Sequence, residues 1–394
     1  MSKKKVVLAF SGGLDTTYCA FYLKDLNYEV HTVLVNTGGF SAEEIEQTEK
    51  RAHSYGVDSH RCLEETSDFY DNCLKYLIFG NVLKNNTYPL SVSAERAFQA
   101  LAIAKFAKSI DADCIAHGST GAGNDQVRFD LIFQIICPDV EIITPIRDNK
   151  LTRQQEIEYL ATKGVNISWE KAKYSINKGL WGTSVGGDET LTSHLSLPES
   201  AYPSQVEKDG SEEIELQFEN GELAGLNGKS MNPVEAIFAI NEIASEYGIG
   251  RDVHVGDTII GIKGRVGFEA AAPVVILKSH HTLEKHVLTK WQQHWKEQLA
   301  NWYGMLLHEG QFLDPVMRDI EVFLQSTQKN VSGTVKVKLA PYRFEVLGIS
   351  SDKDLMSSTF GQYGEMNNGW SGEDVKGFTK ILANQSKIFN SINS

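Results

Sequence analysis

Two short stretches of this chain carry residue types at spacings that can do chemistry. The first, Ser11-Gly12-Gly13-Leu14-Asp15-Thr16-Thr17, follows the apolar run Val6 to Phe10. Adjacent glycines let the backbone curl and approach a ligand, and the helix expected from Leu14 offers unpaired N–H groups to an anion. The G-x-x-x-x-G-K-[ST] pattern is absent, so no loop lysine grips β- and γ-phosphates. Such a loop suits holding pyrophosphate while the α-phosphorus is attacked. The second stretch runs His117-Gly118-Ser119-Thr120-Gly121-Ala122-Gly123-Asn124-Asp125-Gln126-Val127-Arg128-Phe129. Three glycines follow a strand, and an amide, a carboxylate and a guanidinium come within five residues. Arg128 can fork onto a carboxylate, and Asp125 can pair with an ammonium.

The elements that must position these loops alternate in the α/β manner over residues 1–165. Strands are expected at Lys5–Phe10, Glu29–Val35, Asp113–His117 and Glu141–Thr144, and helices at Leu14–Leu26, Ala42–Tyr55, Phe69–Lys84 and Ala94–Ile110. Ser41 and Glu44 form a capping-box pattern ahead of the second helix. The expected fold is a doubly wound parallel sheet, which binds ligands at the carboxyl ends of its strands. Ser11–Asp15, Asn36–Gly39 and Gly118–Asp125 all fall at such ends.

From about Trp169 the character changes. Residues 166–365 read as an α+β domain and 366–394 as a helical tail. Glu213–Glu219 and the turn Asn220-Gly221 begin a hairpin with Ile214, Leu216 and Phe218 on one face. Asn232-Pro233 starts a helix that ends by Gly248. Strands are expected near Thr258–Ile262 and Val274–Leu277, and one long helix at Thr282–Leu307, striped by Trp291, Trp295 and Trp302. The alternating run Thr334–Leu339 pairs with Tyr342–Ile349. The tail from Glu373 to Asn390 carries Val375, Phe378, Leu382 and Phe389 on one stripe, which suits packing on a neighbouring subunit.

With 394 residues, two domains are the prior. The basic start, Met-Ser-Lys-Lys-Lys, is followed by too short an apolar run for a signal peptide or membrane span. Five cysteines without C-x-x-C spacing point to a reduced, cytoplasmic protein without structural zinc. A net charge of −13 disfavours nucleic acid as a partner. The scattered histidines His280, His281, His286 and His294 read as surface or interface groups, and no protein-derived metal site stands out.

The S-G-G-x-D-[ST]-[ST] loop resembles that of the N-type ATP pyrophosphatases, which cleave ATP to AMP and pyrophosphate. Together with H-G-x-T-G-x-G-N-D-Q-V-R-F from His117 to Phe129, it resembles the argininosuccinate synthases. Further similarity lies at Tyr88, Ser93, Arg96, Tyr174-Ser175, Ser184, Gly250-Arg251-Asp252 and Gly261 to Arg265. The resemblance implies condensation of citrulline with aspartate, using ATP and Mg²⁺, through a citrullyl-adenylate. It also implies a homotetramer, a synthetase and oligomerisation role for residues 166–365, and arginine biosynthesis as the setting. Ala9, Phe10, Ser11, Gly12, Gly13, Leu14, Asp15, Thr16 and Thr17 then hold ATP, with Val35 near the adenine and Gly118 closing over the nucleotide. Thr120, Asn124 and Asp125 correspond to the aspartate site. Tyr88, Ser93, Asn124, Arg128, Ser175 and Ser184 correspond to the citrulline site. Ser11, Asp15 and Asp125 are the candidates for catalytic roles, with Arg96 a further site residue.

The chain departs from the family pattern at three positions. Ala122 stands where a lysine is usual. Gly256 and Phe268 stand where a glutamate and a tyrosine contact citrulline. Three readings follow: Asp257 substitutes for the glutamate, citrulline is held differently, or its α-nitrogen is acylated. Two rival functions stay open, another ligase of this loop class (tRNA-thiolating or amidotransferase type) and a non-catalytic nucleotide-binding protein.

Overall fold

The computed structural model describes residues 3–165, 174–357, 363–364 and 369–394. Five parallel strands, β1 (Lys5–Ala9), β2 (Glu29–Asn36), β3 (Ser59–Glu64), β4 (Cys114–Ala116) and β5 (Glu141–Ile143), form one sheet. Their order is β3-β2-β1-β4-β5, with β1 central. Register runs Val7 to His31 on one side and Val7 to Ile115 on the other. Val6, Val7 and Leu8 are fully buried. Val6 and Leu8 pack with Tyr18, Cys19 and Leu23, while Val7 faces the opposite layer with Phe98 and Ile103. Each such side chain contributes about 1.5–3 kcal/mol on leaving water. The reversal of strand order beside β1 opens the crevice where the two glycine loops emerge.

The expected α/β elements are present with ends shifted by a residue or a few, and the capping box at Ser41 is formed, with Glu44 N–H donating to Ser41 Oγ at 3.2 Å. Strand β3 has no counterpart in the sequence reading. Ser59-His60-Arg61-Cys62-Leu63-Glu64 is polar because it is an edge strand, hydrogen-bonded to β2 alone. The expected helix Phe69–Lys84 is instead Thr66–Phe69, a π-helical turn over Tyr70–Leu74, and Lys75–Gly80. It stops at Asn81, whose φ of 50° is left-handed.

Beyond residue 174 the sheets are antiparallel. Strands β6 (Ser175–Asn177), β7 (Thr183–Gly186), β8 (Glu212–Glu219), β9 (Glu222–Leu226), β10 (Lys229–Ser230), β11 (Arg251–Asp257), β12 (Lys263–Glu269), β13 (Gly333–Ala340) and β14 (Arg343–Ser350) form two sheets. Their orders are β10-β9-β8-β13-β14 and β11-β12-β7-β6. The hairpin turn has Asn220 and Gly221 both at positive φ, as a two-residue primed turn requires. Ile214, Leu216 and Phe218 point into the core.

Four expectations fail here. Residues 258–262 are the turn between β11 and β12, not a strand. Val274–Leu277 lies inside the helix Ala271–Val287, a buried apolar run whose length decides helix over strand. The expected long helix is two, because Thr289 caps a second one, Lys290–His308, with Gln292 completing the box. Its Trp291, Trp295 and Trp302 are more than half exposed. Where the two helices meet the first domain, Lys296 Nζ donates to Glu284 Oε2 at 2.7 Å and to Phe79 O at 2.8 Å, wholly buried. The tail is also two helices, Gly372–Leu382 and Asn384–Asn393, with no buried residue. The expected domain boundaries at 165/166 and 365/366, and Trp169, fall on or beside residues outside those described.

Candidate active site

After β1 the chain turns at Gly12, φ 74°, and the Leu14–Asp25 helix begins. Thr17 N–H donates back to Gly13 O at 2.9 Å, so the preceding N–H groups of the turn stay available to an anion. Arg51 reaches in from the Ala42–Ser54 helix, its Nη1 donating to Gly12 O at 3.4 Å. Ser11 is exposed and Asp15 half-buried, whereas Phe10, Leu14, Thr17 and Val35 are core side chains. What those four offer a nucleotide is main chain. Asp15 is hydrogen-bonded to Glu156 of the helix Arg153–Thr162. Burial first, then Asp15, pushes the Glu156 carboxyl up to about 8. The pair therefore shares a proton at neutral pH, and Glu156 Oε2 is buried without a hydrogen-bond partner.

The second loop is braced by its own side chains. Ser119 N–H donates to His117 Nδ1 at 3.2 Å, which leaves Nε2 as the donor to Asp130 at 2.8 Å. Asp130 also takes Arg147 Nη1 at 2.7 Å. Gln126 Nε2 donates to Gly121 O and Gly123 O at 2.7 and 3.1 Å. Gly118 crosses directly over the first loop, and a Cβ there would lie 3.1 Å from Asp15 Cβ and 3.3 Å from Thr16 N. The two loops thus meet at one place. Thr120 and Ala122 are exposed.

Asp125 opens the helix Asp125–Ile136 and accepts from Arg96 Nε at 2.8 Å and Arg128 Nη1 at 2.9 Å. Both guanidiniums oppose the burial cost and hold the carboxyl below its usual range. Arg96 comes from the helix Ser91–Ser109 and also donates to Asn177 Oδ1 at 3.1 Å. Arg128, nearly buried, donates to Ser93 Oγ at 3.1 Å and twice to His308 O, at 3.0 and 2.8 Å. Asn124 Oδ1 accepts the Ile259 N–H at 2.9 Å, which ties the loop to the β11–β12 turn.

On that hairpin, Phe268 is buried 5.4 Å from the Tyr88 ring, and His254 stacks on Tyr88 at 5.2 Å. Ser184 pairs in register with Phe268 and is buried, while Ser175 is exposed on the edge strand β6. Asp257 does not take the glutamate's place. Side chains alternate along β11, so Asp257 faces outward, 67% exposed and paired to Lys263 Nζ at 2.6 Å. Gly256 faces inward without a side chain. Sequence reasoning did not single out Glu95, Glu156, His254, His308, Arg51 or Asn177. The signal of Glu95, Glu156, His254 and His308 is buried polarity, which only packing reveals.

The model "Arginosuccinate synthase N-terminal HUP domain" matches residues 5–166, and "Arginosuccinate synthase C-terminal domain" matches 174–389. Between them they span most of the chain. The chain belongs to the argininosuccinate synthase family. Argininosuccinate synthase of Methanocaldococcus jannaschii is 38% identical over 363 residues, covering 91% of each chain. That of Xanthomonas campestris pv. campestris is 35% identical over 407 residues, covering the whole of both. That of Sulfurisphaera tokodaii is 34% identical over 98% of each chain. The family's sequence signature and the contact of the two loops at Gly118 thus coincide. No helix among the described residues is long and apolar enough to cross a membrane, and no group of three His, Cys, Asp or Glu there could hold a metal ion.

Proposed function

We propose how this site performs its family's reaction, with each side chain in a named role. The enzyme is a carbon–nitrogen ligase of arginine biosynthesis that condenses citrulline with aspartate at the expense of ATP. In our reading the Ser11–Thr17 loop holds the β- and γ-phosphates by main-chain N–H groups, with Arg51 beside Gly12 adding positive charge. The ureido oxygen of citrulline attacks the α-phosphorus and pyrophosphate leaves, giving a citrullyl-adenylate. The aspartate amine then displaces AMP. Catalysis is positioning and charge stabilisation rather than covalent work by the protein.

Asp125 sits between the two substrates. Its oxygens accept from Arg96 and Arg128 and keep lone pairs free for the aspartate ammonium, while Asn124 and Thr120 complete that side. Arg128 with Ser93, Tyr88, Ser175 and Ser184 forms the citrulline side, Arg128 presenting its charge to the carboxylate. The Asp15–Glu156 pair, two hard oxygen groups next to the phosphate loop, would hold Mg²⁺ there. Held there, Mg²⁺ would supply positive charge against the pyrophosphate leaving group. Asp15 and Glu156 order that end, Ser11 offers its exposed hydroxyl, and the His117–Asp130–Arg147 chain keeps Gly118 closed over the nucleotide.

We assign residues 1–165 to nucleotide binding, 166–365 to the synthetase and subunit contacts, and 366–394 to a tail that docks on another copy, in a cytoplasmic homotetramer. The exposed Phe378, Ile381, Leu382, Phe389 and Ile392 of the tail support that assembly. One observation carries the reading: the crossing of Gly118 over Asp15 and Thr16, which joins the phosphate loop to the loop bearing Asp125 and Arg128. Pyrophosphate release measured with ATP and citrulline, with and without aspartate, tests it. Release must require citrulline, and argininosuccinate must require all three. No pyrophosphate in any combination would return the non-catalytic nucleotide-binding reading.

A further inference from the structure

One wall of the citrulline side has a charge character that the reaction does not demand. His254 and His308 are each 6% exposed, and each has a buried Nδ1 with no hydrogen-bond partner. Burial, then Lys84, holds His254 below its usual range. Burial, with Arg128, Lys84 and His254 acting the same way, pushes His308 down to about 3. Both rings are neutral at neutral pH, and the charged groups acting on them are cations. The nearby carboxylate, Asp125, is already engaged by Arg96 and Arg128. Asp257 lies on the outer face of β11 with Lys263. A Cβ at Gly256 would lie 2.7 Å from His254 Nε2, so the imidazole occupies the place where an inward side chain at 256 would stand.

An α-carboxylate suits this wall, because Arg128 and Lys84 attract it. An α-ammonium does not, because it would meet the same two cations, while Asp125, the carboxylate beside them among the described residues, is taken up by Arg96, Arg128 and the aspartate ammonium. An amide at that nitrogen removes the charge. It also supplies one donor and one acceptor, which two neutral imidazoles can match. We propose that the ureido substrate preferred by this enzyme is a citrulline acylated on its α-nitrogen, seated with that amide against His254 and His308. The inference rests on the citrulline–aspartate reading of the site and names which citrulline it takes. The reaction is otherwise unchanged: the ureido carbon–oxygen bond breaks, a carbon–nitrogen bond to aspartate forms, and the acyl group is a spectator.

The test uses the full-length enzyme with ATP, Mg²⁺ and aspartate at neutral pH. Pyrophosphate release is compared for citrulline, N-acetylcitrulline and N-succinylcitrulline, the last adding a carboxylate for Lys84. We expect kcat/KM for an acylated substrate to exceed that for citrulline by roughly tenfold or more, the loss set by one unpaired charge. Equal or better use of free citrulline overturns the inference. Calorimetric binding of the same compounds beside a non-hydrolysable ATP analogue separates the two claims. Tighter binding of acylated citrulline without turnover keeps this inference and sinks the ligase reading. Binding of neither compound overturns the inference. His254→Phe, which keeps the ring on Tyr88 but removes its nitrogens, is expected to raise KM for the acylated substrate while leaving KM for ATP unchanged. An unchanged KM for the acylated substrate counts against the seat.

Discussion

Gly179 and Glu95 offer the sharpest single perturbation of the site's frame. Gly179 lies in the segment between β6 and β7, against the helix that carries Ser93 and Arg96. Its φ is not left-handed, so its glycine is a matter of space. A Cβ there would lie 1.3 Å from Glu95 Oε1 and 2.2 Å from Cδ. Glu95 is 1% exposed, and that oxygen has no hydrogen-bond partner. Burial, with Arg96 opposing and Asp125 reinforcing, pushes its carboxyl up to about 8, so at neutral pH it is a neutral acid filling the space above Gly179. Gly179→Ala must displace this carboxyl from a site with no room, which costs about 1–3 kcal/mol as overpacking. Glu95→Ala loses packing but also removes an unpartnered buried oxygen, so its cost is lower, roughly 0–2 kcal/mol. In the double variant the new methyl enters the vacated space, and Gly179→Ala becomes nearly neutral. The expected coupling is about 1–3 kcal/mol, read from urea-unfolding midpoints and slopes of all four proteins. KM for citrulline is expected to rise with Gly179→Ala and to recover in the double variant, because the displaced helix carries Ser93 and Arg96. If Gly179→Ala costs the same with and without the Glu95 carboxyl, the steric reasoning is wrong.

Other outcomes follow from the same kind of argument. Lys296→Met leaves the fully buried Glu284 without its cation and is expected to cost about 3–5 kcal/mol in stability, most of it recovered by adding Glu284→Gln; equal losses in both would discount the ion pair. Ser41→Ala removes the cap of the helix that brings Arg51 to Gly12 and is expected to cost about 0.5–2 kcal/mol by thermal unfolding. His308 has a folded pKa of about 3, and in the unfolded chain it titrates near 6.5, so the unfolded state binds the extra proton. Its contribution is thus present above pH ~6.5 and lost as pH falls towards 3, and His308→Gln is expected to flatten the acid limb of a stability–pH curve. Deleting residues 370–394 is expected to lower the assembly state by light scattering, and an unchanged mass would show that the tail packs elsewhere.

The chemistry of this protein was legible in local sequence wherever main chain and spacing carry it. An apolar run, two glycines and a helix start define the phosphate loop. Three glycines before Asn124, Asp125 and Arg128 define its partner. The parallel sheet followed from alternating patterns, because period and burial are properties of consecutive residues. Elements with weak or mixed patterns escaped: the polar edge strand β3, the π turn at Tyr70–Leu74, and the break at Thr289, where one apolar stripe ran across two helices. Tertiary structure alone decided matters between residues far apart in the chain. It brought Glu156 to Asp15, laid Gly118 across Thr16, clasped Asp125 between Arg96 and Arg128, and turned Asp257 to solvent while His254 faced in. Burial sets those charges, and burial is a property of the packed molecule. A carboxylate and an imidazole have ordinary character in the sequence and acquire their function only from what surrounds them.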